Sequence, residues 1–190
     1  MRDETRKQRY DKKVDSSKKF PISVATINFM CDGNIGFIIR SAACFGAEKV
    51  HVIGALPEKK DLHRLSGGLD DYIEIIQHKN PHEFLEYSSN HSIKLVSAEI
   101  CDDSKNLEEN QFDFSSPICV VLGHEETGVP PEILHNSQKI HIEMPGVGFC
   151  LNTSQTGNIM LYEIVKQYKH HHKVREKNRD DNVRNFAYTT

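Results

Sequence analysis

The sequence predicts an α/β domain with a mainly parallel sheet and helices on both faces, and three observations carry that expectation. Short β-branched runs alternate with helical segments from Phe20 onward, the order of strands joined by crossover helices. Three polar, glycine-bearing loops each follow a predicted strand, where open α/β sheets receive ligands. The 190 residues suffice for one core without disulfides or metal.

Taken in order, Ile22 to Ile27 reads as the first strand. Asn34 to Phe45 reads as a helix, because Ile35, Ile38, Ile39, Ala42, Ala43 and Phe45 share one side and Gly46 stops it. Strands Val50 to Ile53 and Tyr72 to Ile76 follow, then a short helix from Pro81 to Tyr87 opened by its proline. Lys94 to Ala98 is a strand, and Cys101 to Phe114 is a polar connection. Strand Ile118 to Leu122, a second proline-opened helix Pro130 to His135 and strand Lys139 to Ile142 come next. The last helix runs from Thr153 to about Tyr168, with Ile159, Met160, Tyr162, Ile164 and Val165 as apolar surface. There is no internal repeat.

A net charge of −3 conceals segregation. Residues 1–20 carry net +4, residues 166–190 again +4, and residues 21–165 net −11. Two basic arms on an acidic body suit a protein whose ends grip a polyanion; the competing reading is two solvated tails. The arms bound a domain of residues 21–168, with an N-terminal arm of residues 1–20 and a C-terminal tail of residues 169–190. The apolar runs are too short to span a bilayer and the start lacks a signal core, so a soluble cytoplasmic chain is expected. Five widely spaced cysteines (Cys31, Cys44, Cys101, Cys119, Cys150) read as reduced thiols, without zinc or disulfide spacing.

The most informative loop is Met144 to Ile159. Gly146 and Gly148 would let the backbone approach a ligand, and Asn152, Thr153 and Ser154 are candidate helix caps whose N–H groups would lie beside it. The loop Asp32 to Arg40 places Asn34 and Arg40 on one helix, six residues apart, and Arg40 stands among apolar neighbours where a guanidinium needs a partner. In Leu122 to Val129, Gly123 and Gly128 bracket two carboxylates, of which Glu125 would orient the loop or a cation. Gly146-Val-Gly148 begins like a dinucleotide fingerprint but has Leu151 at the third glycine position. Phosphate-loop, H-E-x-x-H and G-x-S-x-G motifs are absent, which removes most support for hydrolase and NTPase chemistry.

Taken together, these loops resemble the SpoU/TrmH family of SPOUT-class RNA 2′-O-ribose methyltransferases. The family's first motif resembles Asn34, Arg40 and Ala47 to Val52; its second, Gly123-His-Glu125 with Gly128; its third, Ile142, Met144 and Gly146 leading to Leu151-Asn152. Leu65-Ser-Gly-Gly68 is similar to the connection after the second strand. The resemblance covers about Ile22 to Tyr168 and implies a carboxyl-terminal trefoil knot, S-adenosylmethionine held in it, and a homodimer. Without it, the rule that chains do not thread loops argues against a knot.

By the same resemblance, backbone groups around Ser97, Ala98, Gly123, Ile142, Met144 and Leu151 would hold the donor, with His124, Gly146 and Cys150 in the same loops. Arg40, Asn34, Glu125 and Asn152 would be the catalytic set. A guanidinium with pKa above about 12 is a poor base. Arg40 is therefore read as holding the phosphate beside the target ribose and stabilising alkoxide charge, while Asn34 and Glu125 fix the loops around it. Two departures stand out: Cys150 where the family has Ser, and Glu143 where it has Pro. The expected substrate is RNA rather than DNA, tRNA before rRNA, and a D-loop guanosine before a wobble ribose. The rivals are a non-catalytic RNA-binding or ribosome-assembly protein, an rRNA 2′-O-methyltransferase and a base methyltransferase. No metal is expected.

Overall fold

The computed structural model describes residues 4–27 and 32–172. In chain order the elements are α1 (Arg6–Val14), β1 (Phe20–Ile27), α2 (Asp32–Phe45), β2 (Ala47–Ile53), α3 (Lys59–Ser66), a 3-10 turn (Leu69–Tyr72), β3 (Glu74–His78) and α4 (Pro81–Asn90). There follow β4 (Lys94–Ala98), β5 (Lys105–Asn106), β6 (Ile118–Leu122), α5 (Pro131–Leu134), β7 (Gln138–His141) and α6 (Thr153–His171). The strands form one parallel sheet in the order β3-β2-β1-β6-β4-β7-β5.

Alternation along the strands builds two cores. Val24, Val50, Val52, Ile118, Val120 and Leu122 meet Ile35, Ile38 and Ile39 of α2 and Met160, Leu161 and Ile164 of α6 on one face. Ala25, Ile27, Ile53, Cys119 and Val121 meet Phe84 of α4 and Ile133 of α5 on the other. Helices therefore cover both faces, as a parallel sheet requires. Cys119 lies fully inside, and burial pushes its thiol up to about 12, so it is an inert core residue. Cys44, Cys101 and Cys150 are also free thiols, and Cys31 lies outside the described residues. No helix among the described residues is long and apolar enough to cross a membrane.

The structure departs from the sequence reading at several elements. The third strand begins at Glu74 rather than Tyr72, because Tyr72 ends the 3-10 turn. Its hydroxyl donates to Asp11 at 2.6 Å, its ring stands edge-on to Tyr10 at 5.6 Å, and Lys19 donates to its carbonyl at 3.2 Å. The N-terminal arm contains α1, a helix with no buried residue and hence no apolar period to read. It is held by the reciprocal Thr5–Gln8 capping box and the Tyr72 contacts. β7 runs one residue earlier than expected, leaving Ile142 at the mouth of the following loop. α3 and the edge strand β5 were likewise not expected. The C-terminal tail beyond residue 172 lies outside the described residues.

α2 and α3 cross closely at Gly36, where a β-carbon would stand 2.3 Å from that of Leu65. Gly36→Ala is therefore expected to force the helices apart and lower stability by about 1–3 kcal/mol, read as a shift in the urea midpoint. An unchanged midpoint would show that the crossing tolerates a side chain. The crossing also sets the site, because α3 ends at Gly67, beside Arg40.

Candidate active site

Three loops converge at the carboxyl ends of β1, β6 and β7. Asn34, 4% exposed in the first turns of α2, donates through Nδ2 to a Glu125 carboxylate oxygen and accepts through Oδ1 from Asn152 Nδ2 at 3.0 Å. Asn152 caps α6, its Oδ1 accepting from Ser154 N at 2.9 Å and Ser154 Oγ at 2.6 Å. The polar atoms of a buried amide are thus met across 91 and 118 residues of chain, which fixes the loops relative to one another. A carboxylate accepting from Asn34 sets its amide orientation, and that orientation selects the donor edge of Asn152.

The Glu125 loop is itself closed tightly. His124 and Gly128 exchange backbone hydrogen bonds at 2.9 Å, and a β-carbon on Gly123 would lie 2.6 Å from the Gly128 carbonyl carbon. Glu99, immediately after β4, accepts from Val129 N at 2.8 Å and braces the base of this loop. The sequence reading did not include Glu99; its signal was a carboxylate directly after an apolar strand.

The other predicted residues divide by position. Ser97 is fully buried and shares a 2.7 Å hydroxyl contact with Ser137, so its side chain is core and only its backbone is available. Ala98 is half-buried at the end of β4. Ile142, Met144 and Leu151 are half-buried in the third loop, whereas Gly146 and Cys150 are exposed. Val147 and Phe149 are 96% and 91% exposed. Gly146 and Gly148 were expected to let the backbone approach a ligand closely. Neither has positive φ, and a β-carbon on either would meet nothing within 4 Å, so what glycine supplies there is open space.

Arg40 does not join the Asn34 network. Six residues on a helix advance about 9 Å and about 240°, so its side chain leaves α2 far around from Asn34. The expectation that it lies in an apolar neighbourhood is corrected on the same ground: Ile38, Ile39 and Ala42 turn inward while Arg40 is exposed. Its guanidinium lies over Gly67, a left-handed residue with φ 70°, where a β-carbon would stand 3.4 Å from an Arg40 nitrogen and 3.1 Å from one of Arg6. Neither arginine has a carboxylate partner among the described residues. Two guanidinium groups side by side concentrate positive charge over Gly67.

A parallel α/β sheet with polar loops gathered at its strand ends defines a ligand-binding α/β protein of open-sheet class. Residues 21–162 match the SpoU rRNA methylase family, and the chain belongs to it. It is 24% identical over 135 residues to the tRNA (guanosine(18)-2′-O)-methyltransferase of Escherichia coli K12, the match covering 70% of this chain and 58% of that one. It superposes on the TrmH/SpoU tRNA modifying enzyme of A. aeolicus with a TM-score of 0.75 at 24% identity, covering 94% and 92% of the two chains. The SpoU methyltransferase AviRb of Streptomyces viridochromogenes, in complex with AdoMet, gives a TM-score of 0.69 at 25% identity over 80% of this chain and 59% of that one. The chain thus spans little more than half the length of the E. coli relative.

Proposed function

We propose that this protein transfers a methyl group from S-adenosylmethionine to a ribose 2′-hydroxyl of RNA, with tRNA as the RNA and a D-loop guanosine as the nucleotide. The observation that carries the reading is the Glu125–Asn34–Asn152 network, which ties together the three loops that bear the family motifs. Family membership and the named activity of the E. coli relative point the same way.

The loops fit the donor. Backbone around Ala98, Gly123, Ile142, Met144 and Leu151 offers donors and acceptors, and the open space at Gly146 and Gly148 admits a ligand against the main chain. When bound, S-adenosylmethionine supplies an electrophilic methyl on a sulfonium. The protein's part is to hold the acceptor oxygen in line with it, which accounts for much of the acceleration in such transfers.

A trefoil knot formed by the Ile142 to Asn152 segment belongs to the same proposal, and so does a homodimer. Arg40 leaves α2 away from its own donor loop, so a second copy is needed to bring a guanidinium to each. Phe37, Ile159 and Tyr162 leave α2 and α6 an apolar surface 39–59% exposed, suited to a two-fold contact. The exposed Arg6, held over Gly67 by α1, makes the N-terminal arm part of the RNA surface. Arg6→Ala is expected to weaken RNA binding about tenfold and lower the salt slope of log K by about one, since one phosphate contact is lost. Filter binding across a salt series checks this; an unchanged slope would remove Arg6 from the RNA.

Calorimetry with S-adenosylmethionine tests the donor assignment. Saturable one-to-one binding per chain is expected. Absence of binding alongside retained RNA affinity would overturn the enzyme reading in favour of a non-catalytic RNA-binding protein.

A further inference from the structure

The third loop is anchored at both ends and bare between them. At its start, Glu143 accepts from Asn106 Nδ2 of β5 at 2.9 Å; at its end, Asn152 caps α6 and donates to Asn34. Between these anchors, residues 144–151 carry no charged side chain. Met144 and Leu151 are half-buried, whereas Val147 and Phe149 are the two most exposed large apolar side chains among the described residues. Phe149 belongs to neither apolar core and pairs with no other ring among the described residues. A β-carbon on its neighbour Gly148 would meet nothing within 4 Å, so the space beside it is open. Scattered apolar side chains are ordinary on a surface, but two at the tip of a ligand loop, held out by anchors on both sides, are placed for a partner to cover.

Of the partners that reach this tip, the observations favour the RNA. The donor, held by backbone around Met144 and Leu151, would lie toward the half-buried side of the loop, away from the ring. A second copy is drawn to the apolar surface of Phe37, Ile159 and Tyr162 on α2 and α6 rather than to this loop. The RNA approaches from solvent and brings its ribose to the donor. Its base stands on the sugar carbon next to the one bearing the 2′-hydroxyl, so the base arrives at the loop together with the reacting oxygen. A neutral aromatic tip offers nothing to phosphate, while its flat π-face suits a base unstacked from its neighbours.

We infer that Phe149 is the platform on which the base of the target nucleotide stacks, while the guanidinium groups at Gly67 hold phosphate. The inference rests on the ribose-methylation reading. The cations position the RNA backbone, and the ring fixes the nucleotide presented to the donor. Because every base has a π-face, Phe149 supplies placement and affinity rather than base identity.

The chain contains no tryptophan, so Phe149→Trp puts a single fluorescent indole at the tip. In the full-length variant, emission without ligand is expected to be that of a solvated indole, open to acrylamide at every protein concentration. Saturating unmodified tRNA is expected to remove most of this emission and to shield the remainder from acrylamide; S-adenosylmethionine alone should leave it unchanged. Single-turnover transfer at subsaturating tRNA is expected to fall about 10- to 100-fold in Phe149→Ala and in Phe149→Leu, which keeps apolar surface but no ring, and to be largely restored in Phe149→Tyr. S-adenosylmethionine affinity is expected to stay at the wild-type value in all three.

Unchanged emission at saturating tRNA, with binding followed by the anisotropy of labelled RNA, would overturn the inference and leave the methyltransferase reading standing, as would wild-type transfer by Phe149→Leu. Quenching by S-adenosylmethionine alone would overturn it by assigning the ring to the donor. Emission already shielded in the free protein and varying with protein concentration would overturn it by assigning the ring to a second copy. A wild type that binds no S-adenosylmethionine would instead remove the reading on which the inference rests.

Discussion

Arg40→Lys is expected to lower methyl transfer at least about 100-fold while leaving S-adenosylmethionine affinity within about threefold and the folding midpoint unchanged. The physical reason lies in the shape of the group rather than its charge. A guanidinium presents a planar fork that binds two phosphate oxygens at once, whereas an ammonium is a compact, strongly hydrated point charge. Arg40 is exposed and lacks a carboxylate partner among the described residues, so its loss leaves no buried charge behind and no stability effect to confuse the result. Donors aimed at developing negative charge are worth about 10²–10³ in rate when one is removed. Single-turnover transfer of labelled methyl, with calorimetry for the donor, separates the rate effect from binding. Near-normal turnover by the lysine variant would mean that Arg40 acts only as a positive charge.

A second large effect is set far from this site. His51 on β2 and His78 on β3 are both buried, with His51 Nδ1 3.0 Å from His78 Nε2, against Phe84 and Tyr87 of α4. His51 Nε2 has no partner, so the favoured arrangement has His51 Nδ1–H donating to His78 and leaves an acceptor, rather than a donor, unmatched. Burial, then the neighbouring His78 and Lys49, lowers His51 to about 3, and burial lowers His78 as well. The unfolded chain binds these protons near pH 6.5 and the folded chain does not, so stability is complete above about pH 6.5 and is lost as pH falls toward 3. One such group gives a slope of about 1.4 kcal/mol per pH unit in that window.

Urea unfolding is therefore expected to give about 2 kcal/mol less stability at pH 5 than at pH 7.5, before carboxylate protonation contributes. The His51→Leu/His78→Leu double variant, which removes both polar partners together, is expected to lose most of that difference. An equal pH dependence in the double variant would place the acid sensitivity elsewhere.

What was legible in the sequence follows from what leaves a periodic trace. α2 and α6 were readable because Ile35, Ile38, Ile39, Met160 and Ile164 recur with helical spacing on a buried side. β6 was readable because all five of its residues are apolar and buried. α1 carries no apolar face, and its order comes from a capping box and a tyrosine 62 positions after Tyr10, which no local window contains.

The same distinction holds at the site. Asn34, Glu125 and Asn152 were named from their loops, and the structure joins them by direct hydrogen bonds. Arg40 was named on the same helix as Asn34, but helix geometry turns it away, and its neighbour is Arg6 over Gly67. Gly67 and Gly68 marked the place without showing what they accommodate.

The most direct test of the proposed reaction is to incubate the protein with total RNA and methyl-labelled S-adenosylmethionine, hydrolyse the RNA in alkali and map the label. A 2′-O-methyl group blocks attack of the ribose oxygen on the neighbouring phosphate, so label is expected in alkali-resistant dinucleotides from the tRNA fraction. Label recovered in mononucleotides, carried on a base, would contradict ribose methylation.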